Sequence, residues 1–393
     1  MRYPGEWYRL AEQIGQHFGD LRPAQRRGLT TWVYGTLLAG SGCQTAVLTA
    51  LEPLGGRHAV RQVLREWLYD GKDKAAPCRP QVEVGACFAP LLRWVVSWWQ
   101  GKELALAVDA TAQGDALVVL AVSVVYRGSA IPVAWHVLAA NVPGAWLPHF
   151  QRLLQLLAPA VPADWRVIVM ADRGLWSPAL WDQIVALGWH PLPRIQEAAT
   201  FQPTGRARQP VRAFVDGPDE AWVGTGVAFV HHPVACTLVV TWLAGHAAPC
   251  ATLTDLAPAE VGICWYGLRF WIERGFCLLK SLGWGWEQTR RTDPDRVARH
   301  WLVLAVALLW TLATGTRVED ADAQDTPPSR VRHPPAQPPL PAGARTVSLF
   351  RRGLLWLRRQ LGRARLWRCL WLLPERWPAA PPGVRVTYHA ASP

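Results

Sequence analysis

Four polar side chains between Trp265 and Ser281 are spaced to share one surface. Tyr266, Arg269, Glu273 and Lys280 lie at offsets 0, 3, 7 and 14. On a helix of about 100° per residue they fall at about 0°, 300°, 340° and 320°, inside one arc of about 60°. A single helix here presents a phenol, a guanidinium, a carboxylate and an ammonium in a row. Leu268, Trp271, Ile272, Phe276 and Leu279 are apolar and supply its buried side. One acid among bases on one stripe suits a metal-binding carboxylate beside phosphate-binding groups. Taken alone, the stretch equally fits an ordinary i, i+4 surface pair of Arg269 and Glu273.

Two more acids sit where such a helix can use them. Asp109 closes the apolar run Leu104-Ala-Leu-Ala-Val-Asp, which reads as a short buried strand. Runs over 116–126 and 130–138, joined through Arg127-Gly128-Ser129, predict an antiparallel meander. A helix from about Pro143 to Leu157 follows, then the buried strand Trp165-Arg-Val-Ile-Val-Met-Ala, ended by Asp172-Arg173-Gly174. Ser177 as N-cap and Pro178 in the first turn open a helix that runs to Gly188, and 190–195 reads as another strand. The order β-β-β-α-β-α-β, then a helix, predicts a mixed sheet with helices on its faces. A strand reached through a crossover helix tends to lie parallel to an earlier one. With the fourth strand beside the first, Asp109 and Asp172 both fall at C-terminal strand ends, where α/β sheets bind ligands. The helix bearing Glu273 then caps the same edge. Read singly, Asp109 fits a turn cap with Thr111, and Asp172 fits a strand-end partner of Arg173.

Close carboxylates raise one another's pKa, so three at one edge ask for a cation. Mg²⁺ takes oxygen ligands, typically one or two carboxylates plus substrate phosphates. Two such ions about 3.5–4 Å apart can activate the attacking oxygen and stabilise the leaving one in an in-line phosphoryl displacement. Glycosidases also pair carboxylates, but have no use for the basic stripe beside Glu273.

Val108-Asp109-Ala-Thr111, the meander ending Ile131-Pro-Val-Ala-Trp135, Ala171-Asp172-Arg-Gly174 and the Tyr266-x2-Arg269-x3-Glu273-x6-Lys280 spacing resemble the DDE transposases of bacterial insertion sequences. The closer likeness is to the group whose third acid lies in a Tyr-x2-Arg-x3-Glu-x6-Lys motif. The resemblance covers roughly residues 100–315. It implies an RNase H-like α/β fold: three antiparallel strands, then parallel strands, flanked by helices. Asp109, Asp172 and Glu273 would be the catalytic ligands of Mg²⁺ or Mn²⁺, two ions, and Tyr266, Arg269 and Lys280 would contact DNA. Cleavage at element ends, then attack of the freed 3′-OH on target DNA, is the implied reaction. The partners would be the terminal inverted repeats and target duplex, bound by a homodimer. A metal-dependent nuclease that does not join strands is one alternative, and an inactive relic that only binds DNA is another. Members often carry a β-rich insertion before the Glu, and strand-like runs at 221–230 and 236–243 fit one at about 196–258. Relatives sometimes place a base-stacking Trp there, for which Trp222 and Trp242 are candidates. A core role is the alternative in a chain with 24 tryptophans. Lys280 is notable as one of only four lysines, with Lys72, Lys74 and Lys102.

Half of the 393 residues are hydrophobic and 18% are charged, the balance of a globular protein with a large core. The formal net charge of +12 suits a polyanionic partner. The N-terminus lacks the basic-then-apolar pattern of a signal peptide. The longest apolar run, Trp301–Ala313, is short of the about 20 residues a bilayer needs, so a cytoplasmic protein with no membrane association is expected. That run reads as a buried helix capped by Asp293, started by Pro294 and ended by Gly315. Cys236, His246 and Cys250 lack a recognised zinc spacing, and the scattered cysteines read as isolated buried thiols. Residues 1–100 read as a basic helical module for DNA recognition or, equally, a buttressing bundle. Residues 101–315 then form the catalytic domain, and 316–345 a linker in which the acidic patch Glu319-Asp320-Ala-Asp322 precedes an extended Pro-rich stretch from Pro327 to Pro341. Within 346–393, the part from Thr346 to Arg376 holds eight Arg against one Glu and predicts a basic amphipathic helix for DNA backbone contact or docking.

Overall fold

The computed structural model describes all residues except 1–2, 75–79, 143, 328–329, 339–340, 362, 364–368 and 390–393. Five helices come first: α1 (Gly5–His17), α2 (Pro23–Ala39), α3 (Gln44–Gly55), α4 (Arg57–Leu68) and α5 (Phe88–Trp98). Each turns an apolar stripe inward, as Trp7, Leu10 and Ile14 of α1 and Val60, Leu64 and Trp67 of α4 show. The helices share one apolar cluster with the rest of the molecule, running from Tyr3 to Leu372. The Trp67 indole donates to the Arg299 carbonyl (3.1 Å), and the Arg299 guanidinium donates to Asp70 and to the Leu68 carbonyl (3.0 Å).

A meander follows: β1 (Glu103–Gln113), β2 (Leu117–Tyr126) and β3 (Ser129–Ala139). The β2–β3 turn puts Arg127 (φ 46°) and Gly128 (φ 81°) in the left-handed region, as a two-residue hairpin of the twist-matched type requires. Arg127 tolerates this because its buried guanidinium is anchored to Glu319. Next come α6 (Leu147–Leu157), β4 (Arg166–Ala171), α7 (Pro178–Ala186) and β5 (His190–Ile195). The helix expected from Pro143 starts at Leu147, and the one expected to reach Gly188 ends at Ala186. The strands lie in the order β3-β2-β1-β4-β5, with β1, β4 and β5 mutually parallel. This is a mixed α/β architecture with helices against its sheet.

One expectation fails here in an instructive way. β1 does not stop at Asp109 but continues to Gln113, because β2 pairs with it throughout, from Leu106↔Val124 to Gln113↔Leu117. β4 pairs with β1 only as far as Val108↔Ala171. Asp109 is therefore inside a strand, at the level where its parallel neighbour ends.

The segment between β5 and the motif helix is β-rich: β6 (Thr200–Pro203), β7 (Gln209–Pro210), β8 (Glu220–Ala228), β9 (Val234–Trp242) and β10 (Cys250–Thr254). β10 pairs antiparallel with β5, so these strands extend the main sheet in the order β5-β10-β9-β8-β6-β7. Their own core contains Trp222, packed on Phe214 with ring centroids 4.3 Å apart.

α8 (Trp271–Leu279) lies across β3, and a Cβ at Gly275 would come 2.8 Å from the Ala130 carbonyl. α9 (Pro294–Ala323) starts as expected: the Asp293 carboxylate accepts from the Arg296 N–H at 2.9 Å. It does not end at Gly315. That glycine serves a helix crossing, since α10 (Leu349–Gln360) packs so closely that a Cβ there would lie 2.0 Å from the Leu349 carbonyl. By length and composition α9 could cross a bilayer, yet 94% of its most apolar stretch is buried inside the protein. It is the core helix.

The C-terminal third departs furthest from expectation. The acidic patch is the buried end of α9. Glu319 accepts from Arg127 and Arg345, Arg345 also reaches Glu375 (2.6 Å), and the Trp371 indole donates to Asp320 (2.7 Å). The Pro-rich stretch is not a free linker, for Val331 is buried and its carbonyl accepts from Arg317 at 2.6 Å. Among the described residues of the basic segment the helix is α10, which docks Leu349, Phe350 and Leu357 on α9 and leaves Arg351, Arg358 and Arg359 exposed. From Cys369 to Ala380 the chain forms no helix. Leu372 exchanges backbone hydrogen bonds with Trp98 (2.7 Å) and Gln100 (2.9 Å), and β11 (Arg385–His389) joins β8 as a parallel strand.

Candidate active site

The registers place the first two acids together. Val108 pairs with Ala171, so Asp109 and Asp172 are the next residues on two parallel neighbours, whose backbones run about 4.8 Å apart. Asp172 leaves the sheet at once, and its carbonyl accepts from the Leu175 N–H (2.9 Å) in the short turn Arg173–Leu175. Ala171 pairs with Pro193, which extends the same row to Arg194 on β5.

The third acid arrives on a helix in two pieces, not on one continuous helix. Trp265–Phe270 is a 3₁₀ segment, and α8 begins at Trp271. The stripe survives the change. In a 3₁₀ turn residues i and i+3 eclipse, so Tyr266 and Arg269 share a side, and Glu273 follows one α-turn later. Lys280 sits just past the end of α8, as its C-cap.

Arg269 is the hub. Its side chain is 6% exposed. Nη2 donates to Asp109 Oδ2 at 2.8 Å and Nη1 to Glu273 Oε1 at 3.3 Å. Its Nε is buried with no hydrogen-bond partner among the described residues. Asp109 Oδ1 accepts from the Ala110 N–H at 2.8 Å. The Tyr266 hydroxyl donates to the Ala171 carbonyl (3.3 Å) and more distantly to Asp172 Oδ1 (3.5 Å).

The electrostatics show that the three carboxylates share one field. Burial raises the Asp109 pKa, Arg269 and the Ala110 N–H oppose it, and Glu273 and Asp172 push it further up. Burial works against the Arg269 charge, but Asp109 foremost, with Tyr266, Asp172 and Glu273, holds it above its ordinary value. Burial pushes the Tyr266 hydroxyl well up, so it stays a proton donor.

Lys280 stands apart from this knot. Its ammonium donates to the Ala112 carbonyl at 2.6 Å and pairs with Glu287 at 3.5 Å. Ala112 is three residues beyond Asp109 on β1, about 10 Å along the strand.

Three carboxylates are hard oxygen donors of the kind Mg²⁺ and Mn²⁺ take, so the donor set fits such an ion. Their side chains are not closed on one: among the described residues no three His, Cys, Asp or Glu side chains are gathered to hold a metal. Arg269 bridges Asp109 and Glu273 instead. Nor are Cys236, His246 and Cys250 so gathered. Trp222 is a core residue, and Trp242 is half-buried with its indole donating to the His246 carbonyl at 2.9 Å.

Two residues beside the acids escaped the sequence reading. Arg194 was hidden inside a short predicted strand, and only its register with Asp172 brings it to the row. Phe270 is 48% exposed beside Arg269, whose Cζ lies 6.0 Å from the ring centroid. Its offset of four from Tyr266 sets it at about 40°, just beside the polar arc, which is a signal the spacing did contain.

Residues 146–310 match the family model described as Transposase DDE domain. The match spans Asp172 and Glu273, and β1 with Asp109 precedes it. The match covers less than half of the chain and supports a transposase DDE domain in that part. No curated protein matches the chain.

Proposed function

We propose that this chain is the transposase of a bacterial insertion sequence, cutting DNA at the element's ends and joining the freed 3′-OH to target DNA. The observation that carries this reading is the adjacency of Asp109 and Asp172 on parallel strands, with Glu273 brought to Asp109 through Arg269. The strand order and the β-rich extension before α8 agree with an RNase H-like domain interrupted by an insertion, in the group with the Tyr-x2-Arg-x3-Glu-x6-Lys motif.

Asp109, Asp172 and Glu273 would hold Mg²⁺ or Mn²⁺, two ions, which there activate the attacking oxygen and offset charge on the leaving one. The chain's other residues position the strand. Arg269 and Arg194 meet the phosphate at the acids, and Lys280 meets one about 10 Å further along β1. Tyr266 donates a hydrogen bond that burial keeps available. The exposed ring of Phe270 offers a stacking surface to a neighbouring base. Catalysis on this reading is placement and charge stabilisation, with water and then the 3′-OH as nucleophiles and no covalent protein–DNA species. Two ends must meet in one complex, so a homodimer on DNA is expected. The helices α1–α5, with the terminal inverted repeats as ligand, are the proposed recognition module, and the bacterial cytoplasm is the proposed location.

The test is a plasmid assay with the DNA that flanks the gene, supplied with Mg²⁺ and a target duplex. Nicked 3′ ends and joined products support the reading. Cleavage without joining makes the protein a nuclease, and end binding without either makes it an inactive DNA-binding relic.

A further inference from the structure

The residue assigned above to DNA phosphate holds the acids assigned to the metal. Arg269 donates to Asp109 at 2.8 Å and to Glu273 at 3.3 Å through different nitrogens. Its planar fork is shaped to bridge two carboxylates or to grip one phosphate, and a single guanidinium cannot fully do both. While it bridges them, the acids are not gathered for a metal ion. Its buried, unpartnered Nε–H is a donor that the present arrangement leaves over for a third acceptor. Lys280 is not in competition, because it is engaged by Ala112 and Glu287.

We propose that Arg269 is an exchangeable clamp. In the DNA-free protein it holds the metal-binding carboxylates, and it releases them when a DNA phosphate draws its guanidinium away. Metal and DNA then strengthen each other's binding, since coupling between two sites is reciprocal. The clamp keeps the divalent site closed until a strand is in place, which suppresses stray cutting. The proposal rests on the reading of the site as metal-dependent and DNA-cutting.

The experiment is a titration of Mn²⁺ into the intact protein, with free ion followed by electron paramagnetic resonance, with and without a short DNA duplex. The wild type should bind Mn²⁺ weakly alone and about tenfold more tightly with the duplex, within the usual range of such couplings. Arg269→Gln should bind Mn²⁺ about tenfold more tightly than wild type without DNA, and the duplex should add little. Arg269→Lys keeps the charge but cannot bridge both acids, and should fall between them. Arg274→Gln removes an exposed charge next to Glu273 in the chain and should match wild type when DNA is absent. Equal Mn²⁺ affinity in wild type and Arg269→Gln overturns the clamp, as does an equal gain in Arg274→Gln. Mn²⁺ binding that ignores both Asp109→Asn and Glu273→Gln sinks the site reading itself, and the clamp with it. Thermal melting of each variant confirms that folded protein is compared.

Discussion

Asp109 and Glu273 share one arginine but differ in surroundings, with side chains 20% and 58% exposed. Their losses should differ accordingly. Glu273→Gln removes a largely solvated partner, so urea unfolding should move by about 0.5 kcal/mol or less, while strand cleavage disappears. Asp109→Asn leaves one neutral amide oxygen where two carboxylate oxygens now accept from the Ala110 N–H and the buried Arg269 guanidinium, so it should lose cleavage and about 1–3 kcal/mol of stability. Equal stability losses would contradict the picture of Arg269 anchored mainly on Asp109. A second residue-level expectation concerns Asp320, far from the acids. Burial, with Glu319 alongside, pushes its carboxyl up to about 6, against the Trp371 N–H and Arg127. The folded protein then binds this proton more tightly than the unfolded chain between the ordinary Asp value and about 6. Stability should therefore fall as pH rises through that window. Asp320→Asn should flatten the dependence and raise stability near pH 7 by up to about 3 kcal/mol, read from melting curves of both proteins between pH 4 and 7. A parallel pH dependence in both would remove Asp320 as its source.

At the scale of elements, glycines decide how closely helices sit. A Cβ at Gly353 would lie 1.9 Å from the Thr311 carbonyl, against the rigid backbone of α9. Gly353→Ala should therefore cost about 2–4 kcal/mol by forcing α10 off α9. Chemical denaturation measures it, and an unchanged midpoint would contradict so close a crossing of α10 over α9. The same glycines show what the sequence could and could not tell. The meander and a fourth strand set parallel beside the first follow from apolar runs and crossover rules, and β5 matches its run to the residue because that run is short and bounded. Gly315 was taken as a helix stop, because local sequence does not separate a glycine that ends a helix from one that admits another helix. The Tyr266–Lys280 stripe was legible because i, i+3 and i+4 neighbours stay together in both helix types. The break at Trp271 was not legible for the same reason. Asp109 appeared to end its strand because its own run turns polar there, while the ladder beyond it is supplied by β2.

Across the whole molecule, the C-terminal chain ties distant parts together. It links the end of α5 through Leu372, the buried Arg127–Glu319–Arg345–Glu375 cluster, and the edge of β8 through β11. Removing residues 382–393 uncovers only a short, partly charged strand edge, and should lower stability by about 1 kcal/mol with some added self-association. Removing residues 370–393 also strips Trp371, Leu372 and Glu375 from a buried ionic cluster, and should leave little folded protein. Light scattering and melting of the two truncations distinguish these outcomes, and a stable 370–393 deletion would show the strap to be dispensable. None of this was visible in a segment that reads, residue by residue, as basic and Pro-rich, because its partners lie well outside any local window, 51 positions upstream for Trp371 and Asp320 and 247 for Leu373 and Tyr126. The same long-range folding sets Asp109 beside Asp172 and ties Glu273 to Asp109 through Arg269, and the convergence of the three acids on one metal site is the central claim. Anomalous diffraction from crystals of the protein with a DNA end and Mn²⁺ tests it most directly. The expected result is Mn²⁺ bound directly by carboxylate oxygens of all three residues, with Arg269 turned to a phosphate. Mn²⁺ bound elsewhere, or bound without one of the three, would contradict it.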